Sequence, residues 1–175
     1  CLIFLVGFGL NAFPFYPTSP NPDLSFWENF VYRWEHVRII GVLQRIAMCY
    51  VLGGFLALWL KKAKKIIPAM AILMVVHWII LYLIGDKSAE LVNGAAGAFS
   101  LAGQNADLID LAIFGENHIY KGYGIAFDPE GLLGALSGAC TLLLGYLIGN
   151  LIRESKEKIN VVAQLYTIGL CCLAG

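Results

Sequence analysis

Long uncharged runs alternate along this chain with polar stretches rich in proline, glycine or lysine, and this alternation predicts helices that cross a membrane. Residues 1–13 read as the end of one apolar span, which runs into NAFPFYPTSPNPD, where the prolines stop any helix. Residues 24–34 set Phe26, Trp27, Phe30 and Tyr32 among Glu28 and Arg33, which fits either a segment lying among lipid headgroups or a packed loop. Residues 42–60 and 66–84 form a hairpin of two spans closed by the lysines of 61–65. A long polar stretch, 85–127, follows. Within it 106–114 is amphipathic, with Leu108, Leu111 and Ala112 opposite Asp107 and Asp110, so it is expected along the membrane surface.

The block Phe127-Asp128-Pro129-Glu130-Gly131 then opens a run, 132–152, that carries no charge and is long enough for a hydrocarbon layer of ~30 Å. Asp128 suits an N-cap, Pro129 the first helical position and Glu130 the positive helix end, so the helix is expected to start here. A last apolar run covers 161–175. The predicted fold is all-α: a polytopic transmembrane helix bundle of about five spans or part-spans with two long non-cytoplasmic loops. Residues 1–175 are read as one domain, truncated at both ends.

Composition agrees: 59% of residues are hydrophobic and only 14% charged, against about 25% in soluble domains. The net charge is zero and no basic block is interleaved with aromatics, which excludes a nucleic-acid partner. Cys1, Cys49, Cys140, Cys171 and Cys172 lie in apolar runs without ligand spacing, so they read as small core residues, with no metal implied. Basic residues crowd the two short connectors, at Lys61, Lys62, Lys64, Lys65, Arg153, Lys156 and Lys158. That bias makes the connectors cytoplasmic and puts 14–41 and 85–130 on the other side.

Charges near apolar runs are where function is sought. Gln44 and Arg45 fall in the first turn of the 42–60 span, where a charge costs up to ~2.5–3.5 kcal/mol unless it snorkels or is paired. Arg45, Asp128 and Glu130 approach the membrane from the same side. They fit either a buried ion pair pinning two helices or a polar substrate site with Gln44 and Arg45 as donors. The expected pair is Arg45 with Glu130, Asp128 being held by N–H groups of its own helix end. His118 is a loop histidine, open to a structural or an acid–base reading. His77, near mid-span, is expected to make an interhelical hydrogen bond. His36, beside Glu35, says little.

The block Arg38-Ile39-Ile40-Gly41-Val42-Leu43-Gln44-Arg45-Ile46-Ala47, followed by Gly115-Glu116-Asn117-His118-Ile119-Tyr120 and by Phe127-Asp128-Pro129-Glu130-Gly131-Leu132-Leu133, resembles the heparan-α-glucosaminide N-acetyltransferase family and its bacterial relatives. The resemblance implies a multi-helix membrane acyltransferase, placed here in a bacterial inner membrane, that takes acetyl from cytoplasmic acetyl-CoA and delivers it to an amino sugar or envelope glycan on the far side. It implies substrate-binding roles for Gln44, Arg45, Asp128, Glu130 and His118. The family's catalytic histidine is expected upstream of this chain, so the catalytic residue is unknown, His118 matches a loop motif only, and the isolated chain is expected to be inactive. A transporter or flippase, or a structural membrane subunit, is the alternative. The partners expected are the lipid bilayer and a glycan acceptor, with a homo-oligomer left open.

Overall fold

The computed structural model of the chain describes residues 2–18, 20–89, 97–100, 103–120 and 128–174. The regular structure of the described residues is helical, in seven α-helices: α1 (Leu2–Ala12), α2 (Phe26–Glu35), α3 (Val42–Leu60), α4 (Ala63–Ile84), α5 (Asp107–Phe114), α6 (Gly134–Glu154) and α7 (Lys158–Ala174). Short 3₁₀ turns at Gly97–Phe99 and Glu116–His118 flank α5. Three helices, α3, α4 and α6, are long and apolar enough to cross a membrane, and Leu2–Ala12 and Ile159–Cys171 are shorter apolar helices. Of the long polar stretch, residues 90–96, 101–102 and 121–127, with Phe127 of the Asp-Pro-Glu-Gly block, lie outside the described residues, as does Cys1.

The packing fixes directions. Along α3, Cys49, Gly53 and Ala57 meet Ala135, Ala139 with Leu142, and Leu143 of α6 in that order, so these helices run parallel. Along α4, Ile66, Met70 and His77 meet Leu143, Cys140 and Leu133, so α4 is antiparallel to α6. All the basic connectors therefore gather at one end and the heads of α3 and α6 at the other. Close approach of α3 to α6 depends on missing side chains: a Cβ on Gly53 would come within 2.8 Å of Leu142 Cδ2, and one on Gly138 would overlap Cys49 Sγ. This is the small-residue packing that joins membrane helices, where lipid leaves no hydrophobic drive between them. Gly134 and Gly138 in GALSG show its spacing in the sequence.

The core at the connector end is Ala57, Ile66 and Leu143, ringed by Leu56, Leu60, Met70, Leu73 and Leu147. Ile66 is the buried residue of α4, whereas Ile72, Val75, Trp78 and Leu83 are exposed. A surface this apolar would be untenable in water and suits a helix facing lipid or further helices. Cys49 and Cys140 are buried, as expected, and their thiols donate to the carbonyls of Ala135 and Met70 at 3.7 and 3.6 Å; Cys171 is exposed instead.

One segment takes a defined form and two local expectations are corrected. Residues 26–35 form a helix with a capping box, Ser25 Oγ accepting from Glu28 N and Glu28 accepting from Ser25 N at 2.7 Å. The second span starts at Ala63, drawing Lys64 and Lys65 into its first turn. Helix α6 begins at Gly134 rather than at Pro129, because residues 128–136 turn first through i to i+3 hydrogen bonds such as Gly131 N to Asp128 O at 3.0 Å.

Candidate functional site at the head of helices α3 and α6

The charged residues of the Asp-Pro-Glu-Gly block meet a cation that the sequence reading left among the loop residues. Arg38, just before α3, donates from Nε to Asp128 Oδ2 at 3.0 Å and from Nη2 to Asp128 Oδ1 at 2.6 Å, and Nη2 also bonds the Glu130 carboxylate. This forked geometry is the strong form of an ion pair. The Asp128 side chain is 2% exposed and that of Arg38 27%. Burial alone would lower the Arg38 pKa; the hydrogen bonds and charges of Asp128 and Glu130 outweigh it and raise the pKa. The Tyr120 ring stacks on the guanidinium at 4.8 Å.

The expected Arg45–Glu130 pair is thus replaced. Arg45 Nη1 donates to the Pro129 carbonyl at 3.2 Å, while Arg38, in the non-helical segment before α3, takes both carboxylates. Asp128 also accepts from Glu130 N at 3.0 Å, so it caps its own turn but not α6. The carboxylate at the head of α6 is Asp110, whose Oδ1 accepts from Leu132 N at 2.9 Å. Asp110 was expected on an outward polar face; it is 2% exposed, and Leu108 and Ile113 of the same helix face outward. Burial raises the Asp110 pKa, the Leu132 N–H pulls it back, and the charges of Asp128 and Asp107 raise it again.

Gln44 and Arg45 separate because neighbours on a helix point about 100° apart. Gln44 is 1% exposed, packed against Gly7 of α1 and Gly41, and its Nε2 lacks a hydrogen-bond partner among the described residues. Arg45 faces α6 near Gly134. His118 is structural in geometry: its Nδ1 donates to Val37 O at 2.7 Å and its carbonyl accepts from Ile39 N at 3.2 Å. With Asn11 Nδ2 on Arg38 O at 3.1 Å, these bonds fix the backbone on both sides of Arg38. His77 makes the expected interhelical bond, from Nδ1 to Leu133 O at 3.1 Å. His36 Nδ1 lies 2.8 Å from Tyr32 O on its own helix.

Below this cluster a groove of about 720 Å³ runs between α3 and α6. Arg45 and Glu130 stand at its head, Cys49, Tyr50, Thr141 and Tyr146 line its length, and no described histidine borders it. Its chemistry is one cation, one carboxylate and hydroxyls above apolar walls, a set suited to holding a polar group at the mouth. Among the described residues no group of three metal-binding side chains occurs.

The fold and site define a helical membrane-protein bundle with a charged cluster at the head of two parallel spans. No protein-family model matches the chain. The chain resembles the heparan-α-glucosaminide N-acetyltransferases: it is 25% identical over 177 aligned positions to "Heparan-alpha-glucosaminide N-acetyltransferase" of Homo sapiens, covering 81% of this chain and 26% of that protein. The Mus musculus protein of the same name is 23% identical, with 81% and 27% covered. The chain spans about a quarter of the length of these curated relatives.

Proposed function

We propose that the chain is part of a membrane acetyltransferase that moves acetyl from cytoplasmic acetyl-CoA to an amino sugar or envelope glycan on the outer side. The observation that carries this reading is the meeting of the Val-Leu-Gln-Arg and Asp-Pro-Glu-Gly blocks at the mouth of one groove, since both blocks also carry the family resemblance. The basic connectors support a cytoplasmic assignment for the far end of the bundle.

Acyl transfer forms a bond from the acceptor nitrogen to the acetyl carbonyl carbon and breaks that carbon's bond to sulfur. The thiolate leaves and takes one proton, and the ammonium form of the amine gives up two in all, one of them to solvent. Glu130 is assigned the acceptor's ammonium or a hydroxyl, because it lines the groove while Asp128 is turned into the Arg38 clamp. Arg45 is assigned a donor role toward the sugar or the developing oxyanion, beside its bond to Pro129 O. Arg38 holds the two carboxylates in place. Gln44, buried against α1, is withdrawn from the donor set.

The test uses the full-length protein in sealed vesicles with acetyl-CoA on the connector side and glucosamine on the other. Acetylated sugar with matching CoA release is the expected result. Unmodified sugar crossing the membrane with no CoA release would establish a transporter instead.

A further inference from the structure

Behind the Asp-Pro-Glu-Gly turn, on the side away from the groove, lies a small polar cavity of about 120 Å³ lined by His77, Gln104, Asp110, Asp128 and Gly131. That volume is well above the ~15 Å³ one water needs, and the walls offer several polar partners. Two of the lining groups bond the turn's backbone. Asp110 Oδ1 accepts from Leu132 N, and His77 donates from Nδ1 to Leu133 O. The carbonyl on Nδ1 fixes the proton there, which leaves Nε2 as the ring's acceptor nitrogen.

The charges around the cavity are unbalanced. Helix α5 brings Asp110 and, one turn earlier, Asp107; the turn brings Asp128; α4 brings His77. Arg38 is already committed to Asp128 and Glu130, and Arg45 lies across the turn on the Pro129 carbonyl. An ionised Asp110 at 2% exposure would therefore have the Leu132 N–H and no bonded cation among the described residues. A buried carboxylate in that position is neutralised by a proton.

We propose that this cavity is a hydrated proton-binding site in which Asp110 and His77 hold one proton between them through water while their other hydrogen bonds pin the turn. The site needs no reading of the protein's activity. Its consequence is that the loading of this proton sets the charge behind Asp128 and so the stiffness of the turn that presents Glu130 to the groove.

The experiment is infrared difference spectroscopy and histidine ¹⁵N NMR on the full-length protein in lipid at neutral pH, comparing wild type, Asp110→Asn and His77→Gln. Asp110→Asn keeps an acceptor for Leu132 N and His77→Gln keeps an amide donor for Leu133 O, and a thermal melt checks that both fold. The expected result is one extra proton on the pair at neutral pH, seen as a protonated-carboxyl band or an imidazolium signal that Asp110→Asn removes. His77→Gln should move the carboxyl midpoint, down where the proton rests on Asp110 and up where it rests on the imidazole. An ionised Asp110 with a neutral His77 at neutral pH overturns the proposal. So does a carboxyl midpoint that His77→Gln leaves unmoved.

Discussion

Replacing Arg38 by alanine should cost the protein about 3 kcal/mol. Breaking a buried pair typically costs about 3–5 kcal/mol, because the partner is left charged and dry. Here the Asp128 side chain is 2% exposed and keeps, among the described residues, only the Glu130 N–H at 3.0 Å, whereas the guanidinium is 27% exposed, so the lower end applies. Arg38→Lys keeps the charge but not the fork that spans both Asp128 oxygens, and should lose about 1–2 kcal/mol. Arg45→Ala removes one hydrogen bond to a carbonyl and should cost about 1 kcal/mol or less. The assay is reversible unfolding of the full-length protein in mixed micelles, with Asp128→Asn completing a double-mutant cycle. Coupling of about 2 kcal/mol between positions 38 and 128 is expected. Additive losses at 38 and 128, or a larger loss at 45 than at 38, would refute the assignment of the clamp to Arg38.

Other outcomes follow from the same geometry. Gly53→Val should destabilise by about 1–3 kcal/mol, since its side chain would meet Leu142 and the Ala139 carbonyl; a melt at wild-type temperature would contradict the close α3–α6 contact. The raised pKa of Asp110 makes the folded state bind a proton more tightly than the unfolded chain. The stabilisation from this proton should therefore be complete below the ordinary carboxylate pKa and be lost as pH rises through the raised folded value, and Asp110→Asn should flatten that fall in melts across acid to neutral pH. His118→Ala should loosen the Arg38 segment by about 1 kcal/mol, and His118→Gln should leave the pH profile of any transfer activity unchanged; a shifted profile would restore an acid–base role. A cysteine at Ser88 should react with an impermeant reagent added outside sealed cells and one at Ala63 should not, and the opposite pattern would invert the proposed orientation.

The spans were legible because uncharged runs of that length have few other solutions in a chain this apolar. The bond from His77 was legible too, since an imidazole within a span needs a partner. Arg38 was not: it precedes α3 in a non-helical segment, where no periodicity assigns a direction, and its carboxylates are some ninety residues away. Its one signal was its place at the head of the block that resembles the acetyltransferases. Asp110 was misplaced because residues 106–114 were read as an amphipathic helix along the membrane surface, with Asp107 and Asp110 on the face opposite Leu108, Leu111 and Ala112. Helix α5 instead turns Leu108 and Ile113 outward and the Asp110 carboxylate toward the head of α6. Gln44 was paired with Arg45 by adjacency in sequence, although a helix sends adjacent side chains to different neighbours.

The central claim is that the groove headed by Glu130 receives the acceptor, and the most direct measurement is the acceptor KM of full-length Glu130→Gln, taken beside the KM for acetyl-CoA. Loss of a charged hydrogen bond to an ammonium is worth about 1.5–3 kcal/mol, so the amino-sugar KM should rise about tenfold or more. The acetyl-CoA KM should stay within about twofold, because Glu130 is assigned to the acceptor alone. An unchanged amino-sugar KM in a folded, active Glu130→Gln protein would contradict the account.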